Sequence, residues 1–167
     1  FRPDLHDKPV VVLSSNDGCV VARSQEVKDM NVPMGVPYFK IKDTLKEEGT
    51  AVFSSHFALY RDVSRRVFSV MRDVLGEVQQ YSIDEAFFTI SSEPVKAAWE
   101  LKSVVERQVG IPVSIGLAST KTLAKHANSL AKKGSGVAVL SDEEWLKNAP
   151  EVPLSTVWGV GGKLEIK

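Results

Sequence analysis

Apolar and polar positions follow two different periods along this chain. Near its start, Val10, Val11, Val12 and Leu13 form an unbroken apolar run between Pro9 and Ser14. A short β-branched run closed by turn residues predicts a buried strand over 9–14. Asn16, Asp17 and Gly18 supply a turn that tolerates positive φ, which makes 18–22 its hairpin partner. Ser24 predicts the cap of a short helix reaching Met30, and Pro33, Gly35 and Pro37 then break the chain before a lysine-rich helix over 39–48. A short strand is expected over 51–54.

From Phe57 the period changes. Phe57, Tyr60, Val63, Val67, Met71 and Val74 recur three and four residues apart, predicting one long amphipathic helix over 57–75. Antiparallel strands over 78–83 and 86–90 follow, then a helix over 95–109 entered through Ser92, Glu93 and Pro94, and a strand over 112–118. A helix over 120–133, a strand over 137–140 and a helix opened by the capping box of Ser141 and Glu144 complete the pattern. The order helix, strand, strand, helix, strand supplies five of the six elements of a β-α-β-β-α-β ferredoxin-like unit. The expected class is therefore α+β: an antiparallel sheet with helices on one face, its first strand lying ahead of Phe1, and a small satellite before it. The chain opens at Phe1 without a methionine and closes on a Gly-rich turn, so both ends are expected to be cuts in a longer protein.

Composition changes this picture little. The 167 residues are 43% hydrophobic and 25% charged, enough to bury a core of ordinary size. Lysines and arginines number 21 and acidic residues 21, so the balance is neutral and bulk charge points to no nucleic-acid partner. The single cysteine, Cys19, cannot form an internal disulfide and suits a reducing compartment. The longest apolar run is far below the roughly 20 residues of a membrane span. A soluble, cytoplasmic protein with no membrane partner is expected.

The candidate chemistry sits in YSIDEAF, residues 81–87, where two adjacent carboxylates, Asp84 and Glu85, interrupt apolar strand residues. One reading makes them a hairpin turn, although two-residue hairpins favour Asn-Gly or Asp-Gly over Glu. The other makes them oxygen ligands of divalent metal, which offsets the cost of placing two like charges together. Adjacent strand residues point to opposite faces, so joint ligation requires the ladder to end or bulge there. On the helix over 120–133, Lys121, Lys125, Asn128 and Lys132 share one arc opposite Leu123 and Leu130. That face is either a solvated surface or a row of point charges for phosphate. His6, His56 and His126 share no metal-ligand spacing.

YSIDEAF resembles the signature of Y-family translesion DNA polymerases, and VVVLSSNDGCVVARS, SSHFALYRDVSRRV, STKTLAKHANSLAKK and VPLSTVWGVGG resemble further segments of the UmuC type. The resemblance implies a ferredoxin-like polymerase palm with a small fingers subdomain: fingers over 1–52, palm over 53–150 and the start of a helix-hairpin-helix thumb over 151–167. It implies that Asp84 bridges two magnesium ions and that Glu85 contacts the one activating the primer hydroxyl. Lys132 would grip the triphosphate, with Lys121 and Lys125 as further candidates. Gly159 and Gly161 would offer backbone amides to DNA phosphate. The family's Tyr-x-x-Arg motif is replaced by Gln25-x-x-Lys28, which leaves Lys28 and Arg23 as alternative triphosphate cations. The family's first carboxylate, in an Asp-x-Asn-x-Phe/Tyr motif that also brings the aromatic gate, does not occur here and is expected ahead of Phe1.

The resemblance further implies primer-template DNA and deoxynucleoside triphosphates as substrates, and a UmuD-type accessory dimer, the RecA filament and the sliding clamp as partners. The expected function is template-directed synthesis past damaged bases by the intact protein, with these 167 residues alone inactive. Two alternatives stand beside it. A non-catalytic adaptor in lesion bypass would not need both Asp84 and Glu85. A nucleotidyl cyclase would not need the fingers-like insertion.

Overall fold

The computed structural model describes residues 2–160 and Leu164. Two compact units divide the chain, Phe1–Tyr60 and Arg61–Lys167.

In the first unit, strand β1 (Val10–Leu13) forms where the valine run predicts it. Strand β2 (Val20–Arg23) pairs with it antiparallel and strand β3 (Ala51–Ser54) pairs parallel, giving the order β2-β1-β3. Asp17 takes φ of 53° in the turn, as an Asn-Asp-Gly sequence allows. A parallel pairing needs a crossover, and the segment between β2 and β3 provides it through helices α1 (Gln25–Asp29) and α2 (Lys42–Glu47). Ser24 occupies the N-cap position of α1 but does not cap it. Its hydroxyl instead accepts from the Val10 N–H at 3.1 Å and donates to the Lys8 carbonyl at 3.3 Å, tying the helix start to β1. The helix expected over 39–48 is shorter, because Tyr38–Lys40 form a 3-10 turn before α2 begins. Val11, Leu13, Val20, Val27, Val32 and Leu45 close one core. Cys19 is half-buried and bridges to Pro37.

Helix α3 (Phe57–Leu75) has the expected length. The side chain of His56 starts it, its Nδ1 accepting from the Leu59 N–H at 3.0 Å. In the second unit, Phe68, Val70 and Met71 of α3 pack with Ala98, Leu101 and Val105 of helix α4 (Pro94–Val109) and with Ile115. Both helices thus serve one core. Strands β4 (Gln79–Gln80) and β5 (Ala86–Phe87) are antiparallel, whereas β6 (Ile115–Leu117) and β7 (Val137–Val139) are parallel and joined by helix α5 (Lys121–Lys133). Helix α6 (Asp142–Asn148) carries the expected capping box of Ser141 and Glu144.

Helix α5 seats on the sheet through alanine. Its buried positions are Ala127 and Ala131, while Leu130 is 44% exposed. The cause lies on β6: a methyl group at Gly116 would stand 2.1 Å from the Asn128 amide nitrogen and 2.3 Å from the Ala124 carbonyl. Backbone meets backbone there, so alanines face the sheet and the larger Leu130 lies outward.

No ladder joins β5 to β6. A cavity of about 770 Å³ lies between them, lined by Leu75, Gln79, residues 86–90 and residues 116–121. Ile115 and Leu117 spend their bonds on the β7 side, through the Gly136 carbonyl and the Leu140 N–H, each at 2.9 Å. By alternation Gly116 turns its polar groups to the other edge. This is the central position that the ferredoxin-like order leaves for a first strand. The expected antiparallel sheet is therefore present in pieces, and its strands are shorter than the apolar runs because a ladder extends only where a partner stands.

Candidate active site

The β4–β5 ladder ends at Gln80 and Ala86, and residues 81–85 form the connecting loop. The N–H groups of Tyr81 and Ser82 both donate to the Glu85 carbonyl, at 2.9 and 3.0 Å. The Ser82 hydroxyl donates to Asp84 Oδ1 at 2.7 Å and accepts from the Asp84 N–H at 3.3 Å. From α3, Ser64 donates its hydroxyl to the Ile83 carbonyl. Neither Asp84 nor Glu85 has positive φ. The loop is wide enough to need no Asn-Gly, and it frees the two neighbouring carboxylates from strand alternation, the condition joint ligation requires.

Asp84 is exposed at the loop tip. Glu85 turns toward α5 and forms an ion pair with Lys125, the side chains being 32% and 23% exposed. One turn earlier, Lys121 donates to Gln79 Oε1 at 2.5 Å and lies 5.2 Å from the centre of the Phe87 ring. Trp158 stacks edge-on against Tyr81 at 5.3 Å and tilts against Phe87 at 5.6 Å, while the Lys125 ammonium stands 6.0 Å over its ring. The loop, α5 and the segment around Trp158 thus converge on one carboxylate.

The sequence-derived candidates separate accordingly. Lys125 is half-buried and committed to Glu85, whereas Lys121 is exposed and bonded to Gln79. Lys132 is exposed and has no partner among the described residues. Seven residues beyond Lys125, it lies roughly 10 Å further along the helix axis. In the first unit, Lys28 is exposed. Arg23 Nη1 donates to the Val32 carbonyl at 2.5 Å, and its Nε is buried without a partner. Gly159 takes φ of 90°. Gly161 lies outside the described residues. Sequence reasoning missed Trp158 and Gln79 as neighbours of the loop; the tryptophan stood in VWGVGG, where only the glycines drew a functional reading.

Asp84 and Glu85 are hard oxygen donors of the kind magnesium or manganese takes. They fit such an ion chemically and would supply part of its shell. No group of three or more His, Cys, Asp or Glu side chains able to hold a metal occurs among the described residues. None of the described helices is long and apolar enough to cross a membrane.

The pattern of one protein family runs through both units, matching residues 1–129. The chain belongs to the impB/mucB/samB family. Among its relatives in that family, Protein UmuC of Salmonella typhimurium is 40% identical over all of this chain and 42% of its own length. Protein MucB of Escherichia coli is 39% identical over 99% of the chain and 41% of its own. DNA polymerase IV of Corynebacterium diphtheriae is 32% identical over 96% and 37%. The chain spans less than half the length of these curated relatives. In three dimensions this impB/mucB/samB chain is similar to the insertion ternary complex of Dbh DNA polymerase, with a TM-score of 0.83, 21% identity and coverage of 96% of this chain and 49% of that one. DinB from Sulfolobus solfataricus gives 0.81, 22%, 98% and 50%. The fold is that of the Y-family polymerases.

Proposed function

We propose that this chain is the fingers and palm of a translesion DNA polymerase of the UmuC type, with fingers over 1–52, palm over 53–150 and the thumb beginning over 151–167. The observation that carries the proposal is the loop of residues 81–85, which presents two adjacent carboxylates in the fold of a Y-family polymerase. Family membership and the relatives named DNA polymerase IV support it. The substrates are primer-template DNA and deoxynucleoside triphosphates. Asp84 and Glu85 hold magnesium, two ions in the complete site, with a further carboxylate supplied by protein outside these 167 residues. When bound, the ions stabilise the attacking and leaving oxygens of phosphoryl transfer. Lys132 faces solvent at the end of α5, free to meet the triphosphate as a point charge. Lys28 and Arg23 in the first unit are further candidates, although Arg23 already spends one donor on Val32. The glycines at 159 and 161 offer amides to DNA phosphate. A UmuD-type dimer, RecA filament and sliding clamp as partners, and a cytoplasmic site of action, rest on family resemblance alone.

The test is primer extension with magnesium and four deoxynucleotides, using the protein at its natural length. Asp84→Ala and Glu85→Ala should each reduce extension by roughly 100-fold or more, with DNA binding retained. Extension unaffected by either change would sink the proposal.

A non-catalytic adaptor is the second reading. It is favoured by the engagement of Glu85 with Lys125. A natural-length protein that binds primer-template but never extends it would select the adaptor.

A further inference from the structure

We infer that Lys125 is the internal counter-ion of Glu85 and that divalent cation binding works against it, so that the lysine sets how tightly the site takes metal. The inference rests on the reading of Asp84 and Glu85 as metal ligands. Its starting point is an asymmetry between two neighbouring carboxylates. Asp84 faces solvent and is touched by a neutral hydroxyl and its own turn, whereas Glu85 is drawn onto α5 by a full positive charge. The pair bridges residues 40 apart in sequence, and both side chains are at least two-thirds buried. Charges screened from water in this way interact more strongly than the same charges on an open surface.

A carboxylate oxygen held by an ammonium is a poor ligand for a second cation. Either the lysine leaves, or the metal sits beside it and is repelled. The surroundings of Lys125 favour departure. Trp158 presents its ring 6.0 Å from the ammonium, and an indole face is the best aromatic resting place for a cation. Lys125 thus has two perches, the Glu85 carboxylate and the Trp158 ring. Lys121, the other lysine at the loop, does not substitute for it, being held by Gln79 and the Phe87 face. Gly116 fixes the helix that carries both lysines against β6 at backbone distance, so the side chain of Lys125 moves, not its helix.

Manganese binding, followed by the loss of the free ion's electron paramagnetic resonance signal, tests this without reference to catalysis. The natural-length protein is compared with Lys125→Met, which keeps the aliphatic stem and removes the charge, and with Lys125→Arg, which keeps the charge. Lys125→Met should bind manganese roughly fivefold more tightly, and Lys125→Arg should stay near the parent. If Lys125 merely positioned Glu85 for the metal, Lys125→Met would bind more weakly; weaker or unchanged binding overturns the inference. Asp84→Ala with Glu85→Ala separates the two levels. Manganese binding that survives the double change removes the metal site itself, while binding lost there but indifferent to Lys125→Met removes only the counter-ion. Matching circular dichroism spectra certify the fold of each variant.

Discussion

A single missing methyl group positions much of the chemistry proposed for this chain. Gly116 has no freedom to acquire a side chain, because the atoms a Cβ would strike are the Asn128 amide and the Ala124 carbonyl, which belong to a helix backbone and cannot rotate away. Gly116→Ala should therefore cost about 3 kcal/mol, the upper end of overpacking penalties, measured by urea denaturation. The loss should far exceed that of Gly49→Ala, where nothing stands within 4 Å and only a positive φ is strained. Glu85 shows the same dependence on neighbours: the type and adjacency of the two carboxylates singled them out in the sequence, but their unequal surroundings come from α5, 40 residues downstream.

Helix α6 is the clearest case of an element written locally. Ser141 accepts from the Glu144 N–H at 3.2 Å, and Glu144 in turn accepts from the Ser141 N–H at 3.0 Å and its hydroxyl at 2.9 Å. Ser141→Ala should cost about 1 kcal/mol, read from the shift in the thermal or urea midpoint. The bonds from Ser141 hold the Glu144 carboxyl below the ordinary glutamate range, as those from Lys102 and the Val113 N–H hold Glu106. Both folded values are depressed, so their stabilisation is complete above the ordinary range and is lost as pH falls through the folded values. Urea midpoints should hold level near neutrality and decline on the acid side, less steeply in Glu106→Gln. Elements of this kind were legible in the sequence. The bounds of α3, the capping box and the Asn-Asp-Gly turn all follow from neighbours a few residues apart. Strands 78–83, 86–90 and 112–118 were overdrawn because strand length depends on a partner that no local pattern reports. The seat of α5 was not legible in its own period either, since it is Gly116 that brings the helix close enough to admit only alanine. The same distance in sequence concealed Trp158 and the pairing of Lys125 with Glu85.

At the scale of the molecule there are two cores with no residue in common, one around Val11 and Leu45 and one around Leu101 and Phe68. Unfolding should then depart from a single transition. Leu45→Ala and Leu101→Ala, each removing a side chain only 1% exposed, should each cost about 2–5 kcal/mol. In differential scanning calorimetry each should lower a different component of the melt; equal displacement of one common transition would show that the chain unfolds as a unit. The groove between β5 and β6 carries a different consequence. Two strand edges facing one empty groove form a template for extended chain, and a template is indifferent to the origin of what it pairs. A segment lying there is held by backbone geometry rather than by side-chain identity, so its sequence is free to vary where its length is not.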